Sequence, residues 1–207
     1  MTTDRPSTDQ STTPAATAAT IAATLDTTFT TILDGNAALL DAVARESLTA
    51  LAHELHTARR VFVTGAGRSG LIMQLFAIRL GHLDMDVTIL GLPIVPPVGP
   101  GDLFLAASGS GATEVTVQRV RKAQALGARI GAFTARADGE LAALADVCVL
   151  LPVPAKNSGH ALAATQLYDG AFFEQGTFLI TEALFHELAL FRGAGAGELW
   201  ARHANVE

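Results

Sequence analysis

Three hydroxyls fall within six residues in the run Ser108-Gly109-Ser110-Gly111-Ala112-Thr113. Hydroxyls and main-chain amides can hold a fixed phosphate without a counter-charge or a metal. A second glycine run, Gly65-Ala66-Gly67-Arg68-Ser69-Gly70, lies earlier in the chain. Each run follows an apolar stretch, Val61-Phe62-Val63 or Leu103-Phe104-Leu105-Ala106-Ala107, and each precedes a helix-like stretch. A glycine loop between a strand and a helix presents free N–H groups at the positive end of the helix, which makes an anion site. Two such loops in one small domain point to a phosphorylated small molecule held in a crevice between them.

The elements that must position these loops follow from the apolar pattern. Residues 21–58 are helical in pattern, with Leu39, Leu40, Val43, Leu48, Leu51 and Leu55 near helical spacing. Asp34-Gly35-Asn36 predicts a break, hence two helices. The pattern then changes to short β-branched runs at 60–64, 86–90, 102–107, 129–134 and 146–150. Helical stretches at 69–82, 113–126 and near 139–144 separate them, and a long helix is expected over 169–191. This alternation predicts an α/β three-layer sandwich with a five-stranded parallel sheet. Ligands in such sheets sit at the carboxyl ends of strands where the strand order reverses. In the order 2-1-3-4-5 the first and third strands are neighbours at that point, and both loops meet in one crevice.

Each motif has a plainer reading. Gly65, Gly67 and Gly70 match the dinucleotide pattern G-x-G-x-x-G, which also needs an acidic residue at the end of the second strand. That strand ends Thr88-Ile89-Leu90, and Asp84 and Asp86 precede it, at the wrong end. The Walker pattern is absent. Ser110 or Thr113 alone would serve as a helix cap. Glu174, in Phe172-Phe173-Glu174-Gln175, is either a carboxylate sheltered between aromatics as a general base or a solvated first-turn charge. Glu182 and Glu187 suit the solvated role better. The histidines show no metal-ligand spacing, and on spacing alone His203 is incidental. Cys148, the single cysteine, lies in Val147-Cys148-Val149-Leu150-Leu151 and reads as a buried strand thiol rather than a nucleophile.

The formal net charge of −6 and the absence of any basic run exclude nucleic acid as the main partner. The Ser/Thr/Ala-rich stretch to about residue 20 lacks a basic segment followed by an apolar one, so it reads as a disordered tail over 1–20 rather than a secretory signal. No apolar run reaches membrane-spanning length. A cytoplasmic location is expected.

Val63-Thr64-Gly65-Ala66-Gly67-Arg68-Ser69-Gly70-Leu71, with Ala77-Ile78-Arg79-Leu80-Gly81-His82-Leu83, resembles the opening of the 6-phospho-3-hexuloisomerases, a branch of the sugar isomerase (SIS) domain family. The likeness continues through Ser108–Thr113 and Phe173-Glu174-Gln175 to the terminal Glu198-Leu199-Trp200-Ala201-Arg202-His203-Ala204-Asn205-Val206-Glu207. It covers about residues 30–207. The resemblance implies an SIS domain over 21–193, an active-site tail over 194–207, and interconversion of D-arabino-hex-3-ulose 6-phosphate and D-fructose 6-phosphate with no metal or other cofactor. It implies Glu174 as the base and His203 as a proton shuttle that can act on a neighbouring subunit. Ser108, Ser110, the Gly111 amide and Thr113 hold phosphate on this reading, and Gly67, Arg68 and Ser69 form the facing wall. It further implies a homodimer or homotetramer and a metabolic pairing with 3-hexulose-6-phosphate synthase. Ala171 and Ala112 depart from the family, which often has a serine and an acidic residue there. Another sugar-phosphate isomerase, of the arabinose 5-phosphate or sedoheptulose 7-phosphate type, or a non-catalytic sensor, are the alternatives.

Overall fold

A computed structural model describes residues 14–153 and 171–204. Lys156, His160, the start of the late helix at 169–170 and the stretch 165–168 lie outside them, as do 1–13 and 205–207. The expected strands form as β1 (Arg60–Gly65), β2 (Val87–Ile89), β3 (Asp102–Ala107), β4 (Arg129–Thr134) and β5 (Val147–Leu150). They pair in parallel in the order β2-β1-β3-β4-β5. The helices are α1 (Pro14–Ala42), α2 (Arg45–Thr57), α3 (Gly67–His82), α4 (Glu114–Ala125), α5 (Glu140–Leu144), α6 (Ala171–Arg192) and α7 (Ala196–Ala201).

Every residue of β3 is buried, which is why its sequence is apolar without alternation after Asp102, whose carboxylate pairs with Arg59. Leu103, Leu105 and Ala107 join Val61 and Val63 of β1 under α2, α3 and α6. Phe104 and Ala106 join Phe62 under α4 and α5, where Val120 and Leu141 close the layer. Parallel strands buried on both faces need both helical layers. Cys148 sits half-buried on β5, and burial pushes its thiol pKa up.

The first break is not where the sequence suggests. α1 runs unbroken through Asp34-Gly35-Asn36, and the chain turns at residues 43–44 instead. Gly35 is a notch rather than a hinge: a Cβ there would collide with the Phe172 ring of α6. Asn36 stays helical because its Nδ2 donates to Ile32 O at 2.8 Å and to Gln175 Oε1 at 2.7 Å. α1 is also helical from Pro14 on, inside the stretch expected as tail.

α3 and α6 run parallel and are tied along their length. Arg68 pairs with Glu174 at one end and Arg79 with Glu182 in the middle. At the other end Arg192 donates to Leu83 O. The Glu174 end of α6 therefore lies with the start of α3 at the carboxyl edge of the sheet.

Candidate active site

The first loop is compressed by two glycines. A Cβ on Gly70 would lie 2.7 Å from the Gly65 carbonyl oxygen, and one on Gly65 would lie 2.9 Å from Gly70 N. Only glycine at both positions lets α3 start directly above β1. Ala66 caps α3 without a side-chain hydrogen bond, so the first-turn amides are not capped by a side chain. Ser69 is buried against this turn, whereas the Arg68 side chain is 64% exposed.

The second loop stays on the sheet ladder because Ser108 N donates to Phe133 O at 3.0 Å. Its hydroxyls converge. Ser108 Oγ lies 2.9 Å from Thr113 Oγ1 and 3.4 Å from Ser110 Oγ. Thr113 is the N-cap residue of α4, but its side chain makes no capping bond. The cap reading therefore fails, and the hydroxyls form a cluster at an N-terminus whose amides no side chain caps. The Gly111 amide, expected to face phosphate, instead donates to Ser108 O at 3.0 Å. Gly111 closes the turn, at φ +64°, with space for a Cβ limited by Thr134 Oγ1 at 3.0 Å.

α6 brings the carboxylate to both loops. Glu174 has a side chain only 2% exposed, and its Oε2 lies 2.5 Å from Arg68 Nε of the first loop. The neighbouring Phe173 ring lies against Gly109 of the second loop, where a Cβ would be 3.1 Å from it. The solvated-charge reading of Glu174 fails with this burial. It suits Glu187, which is exposed, and Glu182, which is half-buried against Arg79. α3 and α4 thus place two helix N-termini, and α6 a buried carboxylate, around the hydroxyl cluster. Such an arrangement can hold an anion beside a carboxylate able to accept a proton.

His203 does not join them within the chain. Its ring stacks on His82 at 5.4 Å and on Trp200 at 5.3 Å. His82 ends α3, about 22 Å from Gly67 by the helical rise between them. Asp84 and Asp86 also lie at that far edge, Asp86 bonded to Arg60 at 2.8 Å, so no acid stands at the carboxyl end of β2 for a ribose. Among the described residues no three His, Cys, Asp or Glu side chains come together as a metal site. No helix among them is long and apolar enough to cross a membrane. Two contacts are missing from the sequence reading: the Asn36 clamp on Gln175, and Arg119 Nη1 donating to Thr64 Oγ1 at 3.1 Å. Neither has a local signal, because the partners are far apart in sequence.

Residues 54–169 match the SIS domain family, and the chain belongs to it. Within that class the named relatives are of one kind. A 3-hexulose-6-phosphate isomerase of Mycobacterium gastri is 43% identical over 162 residues, covering 78% of this chain and 81% of that one. Another, of Bacillus subtilis, is 30% identical and covers 80% and 89% of the two chains. A Methanococcus jannaschii protein, whose crystal structure inferred a 3-hexulose-6-phosphate isomerase function, superposes with a TM-score of 0.74 at 26% identity, covering 88% of this chain and 98% of that one.

Proposed function

We propose that this protein is an isomerase interconverting D-arabino-hex-3-ulose 6-phosphate and D-fructose 6-phosphate. The single observation that carries the chemistry is Glu174, withdrawn from water between two phosphate-type loops. The reaction moves a carbonyl from C3 to C2. Glu174 takes the C2 proton, a cis-enediol forms, and the proton returns at C3. Ser108, Ser110 and Thr113 hold the phosphate, and Gly67, Arg68 and Ser69 form the facing wall. Arg68, exposed at the rim and paired with the base, orients Glu174 and can meet developing charge on the enediol oxygens.

Because the tail docks at the far end of α3, His203 can shuttle protons between O2 and O3 only in the site of another copy. The reading therefore includes a homodimer or homotetramer with shared sites. Exposed apolar side chains on α1 and α3 support this. It also places the enzyme in the cytoplasm, in the ribulose monophosphate route, beside a 3-hexulose-6-phosphate synthase that condenses formaldehyde with ribulose 5-phosphate.

The test generates the hexulose phosphate in situ with a separate synthase and reads fructose 6-phosphate through a coupled dehydrogenase. The unaltered protein forms product rapidly. Glu174→Gln lowers kcat by roughly 100- to 10,000-fold with little change in KM. A near-normal kcat removes Glu174 from the role of base. No product from the unaltered protein, with sugar phosphates still bound, shifts the substrate to another sugar phosphate.

A further inference from the structure

The hydroxyl cluster carries no formal charge, Arg68 of the facing wall is engaged by Glu174, and Arg136 near Gly111 is engaged by Asp138. A phosphate monoester carries close to two negative charges at neutral pH, and the chain as a whole carries −6. The hydroxyls and amides can hold phosphate without a counter-charge, and a cation that nothing else neutralises would strengthen that hold.

Arg119 fits this part. It is half-buried on α4, and its Nη1 donates to Thr64 Oγ1 at 3.1 Å. Among the described residues it meets no carboxylate, unlike Arg68, Arg79, Arg121 and Arg129. Thr64 pairs with Ala106 across β1 and β3. Phe62, Phe104 and Ala106 pack into the α4-side core, so strand alternation puts Thr64 and Ser108 on that side too. Ser108 is two residues beyond Ala106, about 7 Å along the strand. Side chains on a helix lean toward its N-terminus, so a guanidinium rooted at position 119 is directed toward the Thr113 end of α4. Anchoring one N–H on Thr64 fixes the head and leaves four donors.

We propose that Arg119 supplies the positive charge of the phosphate subsite, with its guanidinium hung from Thr64 beside the Ser108, Ser110 and Thr113 hydroxyls. This rests on the phosphate reading of that loop, but not on which isomerisation follows. Arginine suits the task because its fork of donors matches phosphate oxygens.

The experiment is calorimetric titration of the full chain with inorganic phosphate and with fructose 6-phosphate, which needs no turnover. Arg119→Met keeps the aliphatic stem and removes the charge. Its dissociation constants for both ligands rise roughly 10- to 100-fold, the loss expected for a charge-assisted hydrogen bond. Arg119→Lys loses less. KM for the hexulose phosphate rises by the same factor where turnover is seen. Unchanged affinity for both ligands in a folded Arg119→Met overturns the proposal, as does an unaltered protein that binds neither ligand. Thr64→Val covers the case in which Arg119→Met fails to fold: it unhooks the guanidinium in place, a several-fold weaker phosphate affinity supports the assignment, and an unchanged one overturns it. A protein that binds both ligands with this Arg119 dependence, yet does not isomerise the hexulose phosphate, defeats the reaction reading alone.

Discussion

The two hydroxyls of Ser108 and Thr113 meet each other at 2.9 Å where ordinary helix chemistry would turn one of them back to cap α4. That choice leaves polar capacity facing the crevice, and it marks a site better than glycine content does. Gly65 and Gly70 show the complementary economy of space. Gly70→Ala drives a methyl group to 2.7 Å from a backbone oxygen, which no side-chain rotation relieves. The overpacking costs about 1–3 kcal/mol, so the melting temperature falls by roughly 3–10 °C and sugar-phosphate affinity drops as α3 backs away from β1. An unchanged melting curve and affinity would show that the loop relaxes freely. At this scale the residue types told most of the story. The hydroxyl spacing and the aromatic frame of Glu174 are visible in the chain. The Gly111 turn and the Arg119–Thr64 contact are not, because each is decided by a partner brought in by the fold.

Among the elements, the strands were legible to within a residue or so because a two-faced parallel strand leaves an uninterrupted apolar run, as β3 does. The break in the N-terminal helices was misplaced because Asp-Gly-Asn is ordinarily turn chemistry. Here Phe172 and Gln175 of α6 overrule it through Gly35 and Asn36. The tail is the least stable-looking attachment. α7 is held against the end of α3 by the His82–His203–Trp200 stack and by Arg202, which donates to His82 O and lies 3.7 Å from Asp84. The His82 pKa is lowered from the ordinary 6.5, first by burial, then by His203 and Arg79. The docked state thus favours neutral His82. Docking is fully present above 6.5 and weakens as pH falls through the lowered value. Trp200 is the only tryptophan in the chain and reports this directly. Its fluorescence changes on acidification with a midpoint below 6.5, and His82→Gln abolishes or displaces that transition. A titration identical in His82→Gln would assign the change to another group.

For the molecule as a whole, the conspicuous feature is apolar surface left uncovered in orderly rows. Ile21, Leu25 and Phe29 repeat along α1, and Leu71, Leu75 and Ile78 along α3, all at least 42% exposed. Among the described residues these stripes stay exposed, and another copy covering them would stabilise the threonine-rich first half of α1. Light scattering after size exclusion gives a multiple of the 21.5 kDa chain, and Leu25→Glu with Phe29→Glu lowers it. A unaltered protein that runs as a single chain would remove the shared-site arrangement. The convergence of the α3 and α4 N-termini on one edge has a kinetic meaning as well. Helix-end charge acts within about one turn, while the net charge of −6 is felt out to the screening distance of roughly 8 Å in physiological salt. A doubly negative substrate is repelled by the body of the molecule and welcomed only at contact. Approach is unaided by long-range steering, and the ions of the medium quicken it by masking the repulsion while leaving the short-range grip intact.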